Sequence, residues 1–179
     1  MSVPEILATP EIVNGPVLLV EYDPGWPAAY DHLALQIDGA LGAGVIALHH
    51  AGSTSVPGLA AKPIIDLVLE VADSANEDDY VPALEAAGFA FAAREPEWFE
   101  HRLMKFAGPK ANLHIFSAGC PETTRMIAFR DHLRRNQADR ALYEQTKRML
   151  AGRSWRIVQD YADAKTEVVK EIMNRALPT

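Results

Sequence analysis

The chain carries a single cysteine, Cys120, in 179 residues. One cysteine makes no internal disulfide and no cysteine-based metal site. Long apolar runs are also missing. Val17–Val20 and Ile64–Val71 are the strongest, far below the ~20 residues of a membrane helix. The first residues show Glu5 and no basic stretch, so no signal peptide is expected and a cytoplasmic setting is. Internal repeats and low-complexity segments are absent. Basic residues are scarce in the first 120 positions, which hold 5 Lys+Arg against 16 Asp+Glu. With a sequence pI near 5.3 there is no concentrated basic face for duplex nucleic acid. What is present is ordinary for one globular domain: 49% hydrophobic and 23% charged residues.

The charge is uneven along the chain. Residues 1–120 sum to −11, whereas residues 121–179, with 12 basic and 8 acidic side chains, sum to +4. A basic C-terminal part fits a phosphate-bearing small partner, and fits equally the solvated faces of long helices.

Hydrophobic periodicity gives an α+β order. Residues 1–16 read as an N-terminal arm, loose or laid over the surface. Residues 17–179 read as one domain, with a mixed sheet over 17–120 and a helical part over 121–179. A strand is expected at Val17–Tyr22. A helix is expected from Trp26 to Leu41, because Trp26, Tyr30, Leu33, Ile37 and Leu41 share one helical face and Pro27 suits a first turn. Strands follow at Val45–His50, Ile64–Val71, Phe89–Arg94, Arg102–Ala107 and Asn112–Phe116, the last two a hairpin around Gly108-Pro109. A helix is expected over Asp78–Ala87. Three more are expected at roughly 122–135, 138–151 and 154–176.

The chemistry concentrates in His49-His50-Ala51-Gly52-Ser53-Thr54-Ser55, which runs through a Gly/Pro-punctuated loop to Lys62-Pro63-Ile64-Ile65-Asp66. Gly52 permits a tight turn and close approach of a ligand. The hydroxyls of Ser53, Thr54 and Ser55, with the turn's backbone N–H groups, suit phosphate oxygens. Asp66 lies on a strand and shares a face with Val68 and Glu70. A carboxylate beside a phosphate turn is what a Mg²⁺–nucleotide site needs, with Mn²⁺ as an alternative. A plain connecting loop with Asp66 as a strand-end residue has the same spacing.

Further candidates cluster around this loop. Lys62 sits at the mouth of the Asp66 strand, to bind phosphate or neutralise Asp66. His50 and His114 are candidates to face one cleft with Asp66, as metal ligands or an acid–base pair; a hydrogen-bonded role inside the sheet is the alternative. Arg102 alternates with Met104 and Phe106, so it needs a carboxylate or an anion beside it. Arg130 and Arg134 are i, i+4 on one helix face, placed for a phosphate or for a salt bridge. Tyr161 and Lys165 are also i, i+4, and Lys147 lies on the preceding helix. A lysine near a Gly-Ser turn suits a nucleotide. Cys120, before Pro121 at a helix start, reads as structural.

The string HHAGSTSVPGLAAKPIIDL resembles the signature of the GrpB family. The likeness runs from Val17 to near the end. It includes Tyr22-Asp23-Pro24-Gly25-Trp26, Arg94-Glu95-Pro96-Glu97, His101-Arg102, Asn112-Leu113-His114-Ile115 and Phe129-Arg130-Asp131-His132-Leu133-Arg134. Tyr143, Lys147, Tyr161 and Lys165 complete it. The resemblance implies the nucleotidyltransferase superfamily of the DNA polymerase beta kind, with a small mixed β-sheet flanked by helices. It implies a Gly-Ser phosphate turn at Gly52-Ser53, an Asp-x-Asp strand beginning at Asp66, and a third carboxylate from a neighbouring strand. The sequence departs from that set. Val68 stands at the second acid position, Glu70 lies two residues further, and His114 stands in the segment of the third. The resulting expectation is a nucleotidyltransferase-like protein that binds a nucleotide or other phosphorylated ligand. Asp66, Glu70 and His114 would serve the chemistry, with Asp66 and Glu70 on the metal. Gly52, Ser53, Thr54, Ser55, Lys62, Arg102, Arg130 and Lys165 would lie on the ligand's phosphates. The alternative is a non-catalytic folding or assembly module, as domains of this kind resemble when fused behind some dephospho-CoA kinases.

Overall fold

The structure, a computed structural model, describes residues 5–6 and 12–177. The strands are β1 (Glu5–Ile6), β2 (Ile12–Gly15), β3 (Ala47–Ala51), β4 (Ile65–Val71), β5 (Ala90–Glu95), β6 (His101–Ala107), β7 (Lys110–Ser117) and β8 (Trp155–Ile157). The helices are α1 (Trp26–Leu41), α2 (Val81–Ala86), α3 (Pro121–Arg135), α4 (Gln137–Ala151), α5 (Val158–Asp163) and α6 (Thr166–Ala176).

The run Ile-Asp-Leu-Val-Leu-Glu-Val is apolar almost throughout, as a strand buried on both faces must be. It forms β4, which pairs in parallel with β7 and antiparallel with β3. The sheet order is β1-β5-β6-β7-β4-β3, so the sheet is mixed as expected. Its first face carries Ile65, Leu67, Leu69 and Val71 of β4 and packs under α1 and α2 through Trp26, Leu33, Ile37 and Leu84. Leu33 and Ile37 are fully buried, each burial stabilising by about 1.5–3 kcal/mol. On the opposite face Val68 is buried with Ala51, Phe116 and Cys120.

The C-terminal helices cover the loop between β3 and β4, and α3 also reaches the second face of the sheet, where Met126 packs on the Val68 cluster. Val56 and Leu59 of that loop pack with Leu133, Tyr143, Val168 and Ile172. Arg134 clamps the same loop, with Nε and Nη2 both donating to the Ser55 carbonyl at 3.0 and 2.7 Å. The site is therefore set where the sheet half meets the helical half.

Three expectations are corrected, for Val17–Tyr22, for the helix over 78–87 and for the helix over 154–176. Val17–Tyr22 is not a strand of the sheet: Val17 N–H donates to Ala151 O, and Val20 forms a lone bridge with Ala61. The segment bridges the two halves: Val17 and Leu19 pack with Leu150 and Tyr161 of the helical half, while Val20 and Tyr22 pack on the sheet core. The arm contributes two short strands, β1 on the outer edge of β5 and β2 against β8; residues 1–4 and 7–11 lie outside the described residues. The helix over 78–87 shrinks to α2 behind a short 3₁₀ turn, Glu77–Asp79, with Pro82 in the first helical turn. The long helix over 154–176 is interrupted. Trp155-Arg156-Ile157 pairs with β2, and α5 and α6 follow. The apolar residues there satisfied a helical period while a tryptophan and an isoleucine favoured the strand. Among the described residues no helix is long and apolar enough to cross a membrane.

Candidate functional site

Gly52 ends the β3 edge with φ 63° and ψ −172°. A Cβ there would stand 2.2 Å from Asp66 Oδ2, so only glycine lets the turn lie against the Asp66 carboxylate. The turn is held from inside: Ser55 Oγ donates to Gly52 O at 2.6 Å, and Val56 N–H donates to Ser53 O at 3.2 Å. Thr54 Oγ1 and His50 Nε2 share a hydrogen bond of 3.1 Å. His50 stacks on Tyr30, with ring centroids 4.7 Å apart. Burial, with Arg134 and Arg130 nearby, lowers its pKa to about 4, so it is neutral. Across the sheet Asn112, in register with Asp66, donates Nδ2–H to Asp66 Oδ1 at 2.9 Å.

Above this turn lies a partly enclosed cavity of about 120 Å³. The turn contributes Gly52, Ser53 and Thr54; the strand entry contributes Lys62 and Asp66. The helical half contributes Tyr143 and Lys147 from α4, Tyr161 from α5, and Lys165, which precedes α6. Lys147 is 2% exposed, and its Nζ donates to the Ala60 carbonyl. It lies 4.8 Å from the Tyr143 ring centroid, and Lys165 lies 4.6 Å from that of Tyr161. Burial, then the neighbouring Lys165, lowers the Lys147 pKa to about 7. Burial also lowers that of Lys165, against the pull of Asp66. Burial raises Tyr143 to about 12, opposed by its hydrogen bond with Ser53. The Tyr161 hydroxyl is buried and has no hydrogen-bond partner among the described residues. Such a group costs about 1–3 kcal/mol unless a water or ligand meets it.

Six residues assigned from the sequence meet here: Gly52, Ser53, Thr54, Lys62, Asp66 and Lys165. The other five do not line the cavity. Ser55 braces the turn from within. Glu70 accepts from Gly119 N–H at 3.0 Å and lies 3.5 Å from His49. Arg102 is 5% exposed and donates to Glu77 Oε1 at 2.6 Å, beside Arg94 on the same carboxylate. Arg130 donates to His50 O at 2.9 Å and to Asp131 Oδ1 at 2.8 Å. His114 joins a chain in which its Nδ1 meets His101 Nε2 at 3.1 Å and His101 Nδ1 meets Glu95 Oε2 at 2.8 Å. Burial lowers the pKa of both histidines, that of His101 to about 3. The sequence reading assigned no role to the hydroxyls of Tyr143 and Tyr161. Their spacing to Lys147 and Lys165, one helical turn each, was the signal available.

The donor set does not fit the two-metal carboxylate arrangement. Among the described residues Asp66 is the one carboxylate lining the cavity, Val68 is core, and Asn112 occupies the register position opposite Asp66. Among the described residues no group of three His, Cys, Asp or Glu side chains is set to hold a metal ion.

Comparison with known proteins agrees with this architecture. The model of the family described as GrpB protein matches residues 16–175. A UPF0157 protein of Halalkalibacterium halodurans is 52% identical over 166 residues, covering 93% of this chain and 85% of that protein. A dephospho-CoA kinase of Mycolicibacterium paratuberculosis is 29% identical over 196 residues, covering 95% of this chain but 48% of the kinase. The crystal structure of conserved protein GrpB from Enterococcus faecalis superposes with a TM-score of 0.75 at 29% identity, over 89% of this chain and 96% of that one. The chain belongs to the GrpB family and has its nucleotidyltransferase-like fold.

Proposed function

We propose that the chain binds a phosphorylated small molecule, nucleotides included, with a phosphate in the cavity over Gly52–Thr54. One observation carries this reading: two buried lysines, Lys147 and Lys165, line a small cavity to which Asp66 contributes the single carboxylate among the described residues. Burial is the first reason the pKa values of Lys147 and Lys165 fall, and for Lys147 the neighbouring Lys165 adds to it. A bound anion reverses that cost. The glycine turn allows close approach, and the unpartnered Tyr161 hydroxyl supplies a donor. In the superfamily a metal offsets phosphate charge; here the lysines take over most of that role, and Asp66 remains as the one carboxylate a Mg²⁺ or Mn²⁺ ion would find. In-line nucleotidyl transfer needs a second carboxylate beside Asp66, and Val68 fills that position.

The test is a thermal-shift panel of inorganic phosphate and nucleotides, each with Mg²⁺, with Mn²⁺ and with EDTA. A ligand at 100 times its Kd stabilises by about 2.7 kcal/mol, roughly 5–10 °C for a chain of this size. A rise that persists in EDTA and disappears in Lys165→Ala supports the reading. A flat panel at millimolar ligand overturns it. The flat result favours the second reading, a non-catalytic folding or assembly module, which the missing carboxylates support and which fits a relative where the likeness spans about half of a kinase.

A further inference from the structure

We infer that Lys147 is a nucleophile, whose side-chain nitrogen condenses with the carbonyl carbon of a small aldehyde or ketone in the cavity over Gly52–Thr54. This goes beyond the phosphate reading and does not rest on it.

The placement of Lys147 is the first observation. Lysine is almost never fully buried unless it is paired, yet Lys147 is 2% exposed. Its Nζ donates to the Ala60 carbonyl, and among the described residues no carboxylate pairs with it. A neutral amine tolerates such a place, and donating one N–H leaves its lone pair available. Burial, then Lys165, lowers the Lys147 pKa to about 7, with Glu144 and Arg148 of its own helix acting in opposite directions. A large share of the amine is therefore uncharged near neutral pH.

The surroundings of Lys147 are the second observation. It lines a cavity rather than closed core. A desolvated lysine beside another cation is an activated amine. Lys165 lines the same cavity and is placed as the acid for the carbonyl oxygen. The Tyr161 hydroxyl, buried without a hydrogen-bond partner among the described residues, offers that oxygen a second donor. The cavity of about 120 Å³ holds on the order of four waters, at about 30 Å³ each, which suits a compound of about three carbons.

The step balances without oxidation or reduction. The Lys147 lone pair forms the N–C bond while the C=O π pair moves to oxygen, which takes a proton. The carbinolamine then expels that oxygen as water as the C=N bond forms. Both hydrogens of the water come, in sum, from the amine, so amine and carbonyl give imine and water.

The experiment treats the full chain near neutral pH with glycolaldehyde or dihydroxyacetone and sodium cyanoborohydride, which reduces the imine to a stable secondary amine. Peptide mapping by mass spectrometry locates the adduct with no substitution needed. Lys147 should be labelled at least about tenfold faster than the exposed Lys110 and Lys170. That ratio should be largest up to about pH 7 and fall above it, because Lys147 has by then lost its proton while the exposed amines are still losing theirs. Lys165→Ala should slow labelling of Lys147 about tenfold. Labelling of Lys147 no faster than of the exposed lysines overturns the inference, as does an adduct at Lys165 in its place. Neither result alters the phosphate panel, on which the phosphate reading stands or falls separately.

Discussion

Two clusters of cations sit at opposite ends of the sheet's logic. Around Glu77, Arg94 and Arg102 share one carboxylate at 2.6 Å each, and Arg94 reaches Glu5 on β1 at 2.7 Å. Over Gly52, three lysines surround a cavity with one carboxylate. The first cluster is closed: every charge has a partner, and the pairing lowers the Glu77 pKa through its hydrogen bond with Arg94. The second lines a cavity, and burial lowers the pKa values of its Lys147 and Lys165. A basic residue near a cleft therefore says little about binding until its partner is known. Arg102, an anion-site candidate from its strand pattern, belongs to the closed cluster.

That contrast yields predictions in descending size. Glu77→Ala removes the nearer carboxylate of buried Arg102, leaving Glu100 at 3.2 Å, and should destabilise the fold by about 3 kcal/mol, read by urea denaturation, with phosphate affinity unchanged. A parallel loss of phosphate binding would erase the distinction between the clusters. Gly52→Ala places a side chain at positive φ against Asp66. It should cost about 1–2 kcal/mol from backbone strain alone and also abolish binding, since the turn must move away from Asp66. Lys165→Ala should do the reverse of Glu77→Ala, lowering phosphate affinity at least tenfold while stability holds or rises.

The pH profile sharpens the same contrast. The folded Lys147 releases its proton near pH 7, while the unfolded chain keeps it to about pH 10.5, the ordinary lysine value. The unfolded state thus binds more protons across that window, so stability rises with pH through it. Phosphate affinity should fall over the same rise, because the anion needs the charged amine. Lys147→Met should flatten the stability slope, as chemical denaturation at pH 7 and pH 9.5 will show. The smallest effect belongs to exposed pairs. Lys170→Ala, which breaks the surface pair with Glu167, should change stability by less than about 1 kcal/mol.

Much of the sheet and α1 was legible because burial writes itself as periodicity. The Trp26–Leu41 stripe and the apolar run of β4 allow one reading each. The arm and the stretch after Ser154 were not legible, since β2 and β8 form only by pairing with each other, about 140 residues apart. Local pattern carries no trace of such a partner. In the site, Gly52, Ser53, Thr54 and Asp66 were visible as a contiguous turn-and-strand motif. Lys165 was visible as one lysine among several. Tyr143 and Tyr161 were not assigned, because a buried tyrosine on a helix looks like core until its hydroxyl is found beside a cavity. Glu70, assigned from the strand face it shares with Asp66, and His114, assigned from the segment of the third carboxylate, do not line the cavity. Two residues along β4 separate Glu70 from Val68, and the strand carries it to Gly119 and His49 instead.

The central claim is that the lysine-lined cavity, and not the paired arginine cluster, holds the phosphate. Titration of AMP into the unsubstituted chain, Glu77→Ala and Lys165→Ala, at a temperature where all three are folded, tests it most directly. The account predicts binding by the first two with equal affinity and at least tenfold weaker binding by Lys165→Ala. Equal binding by all three, or binding lost only in Glu77→Ala, would contradict it.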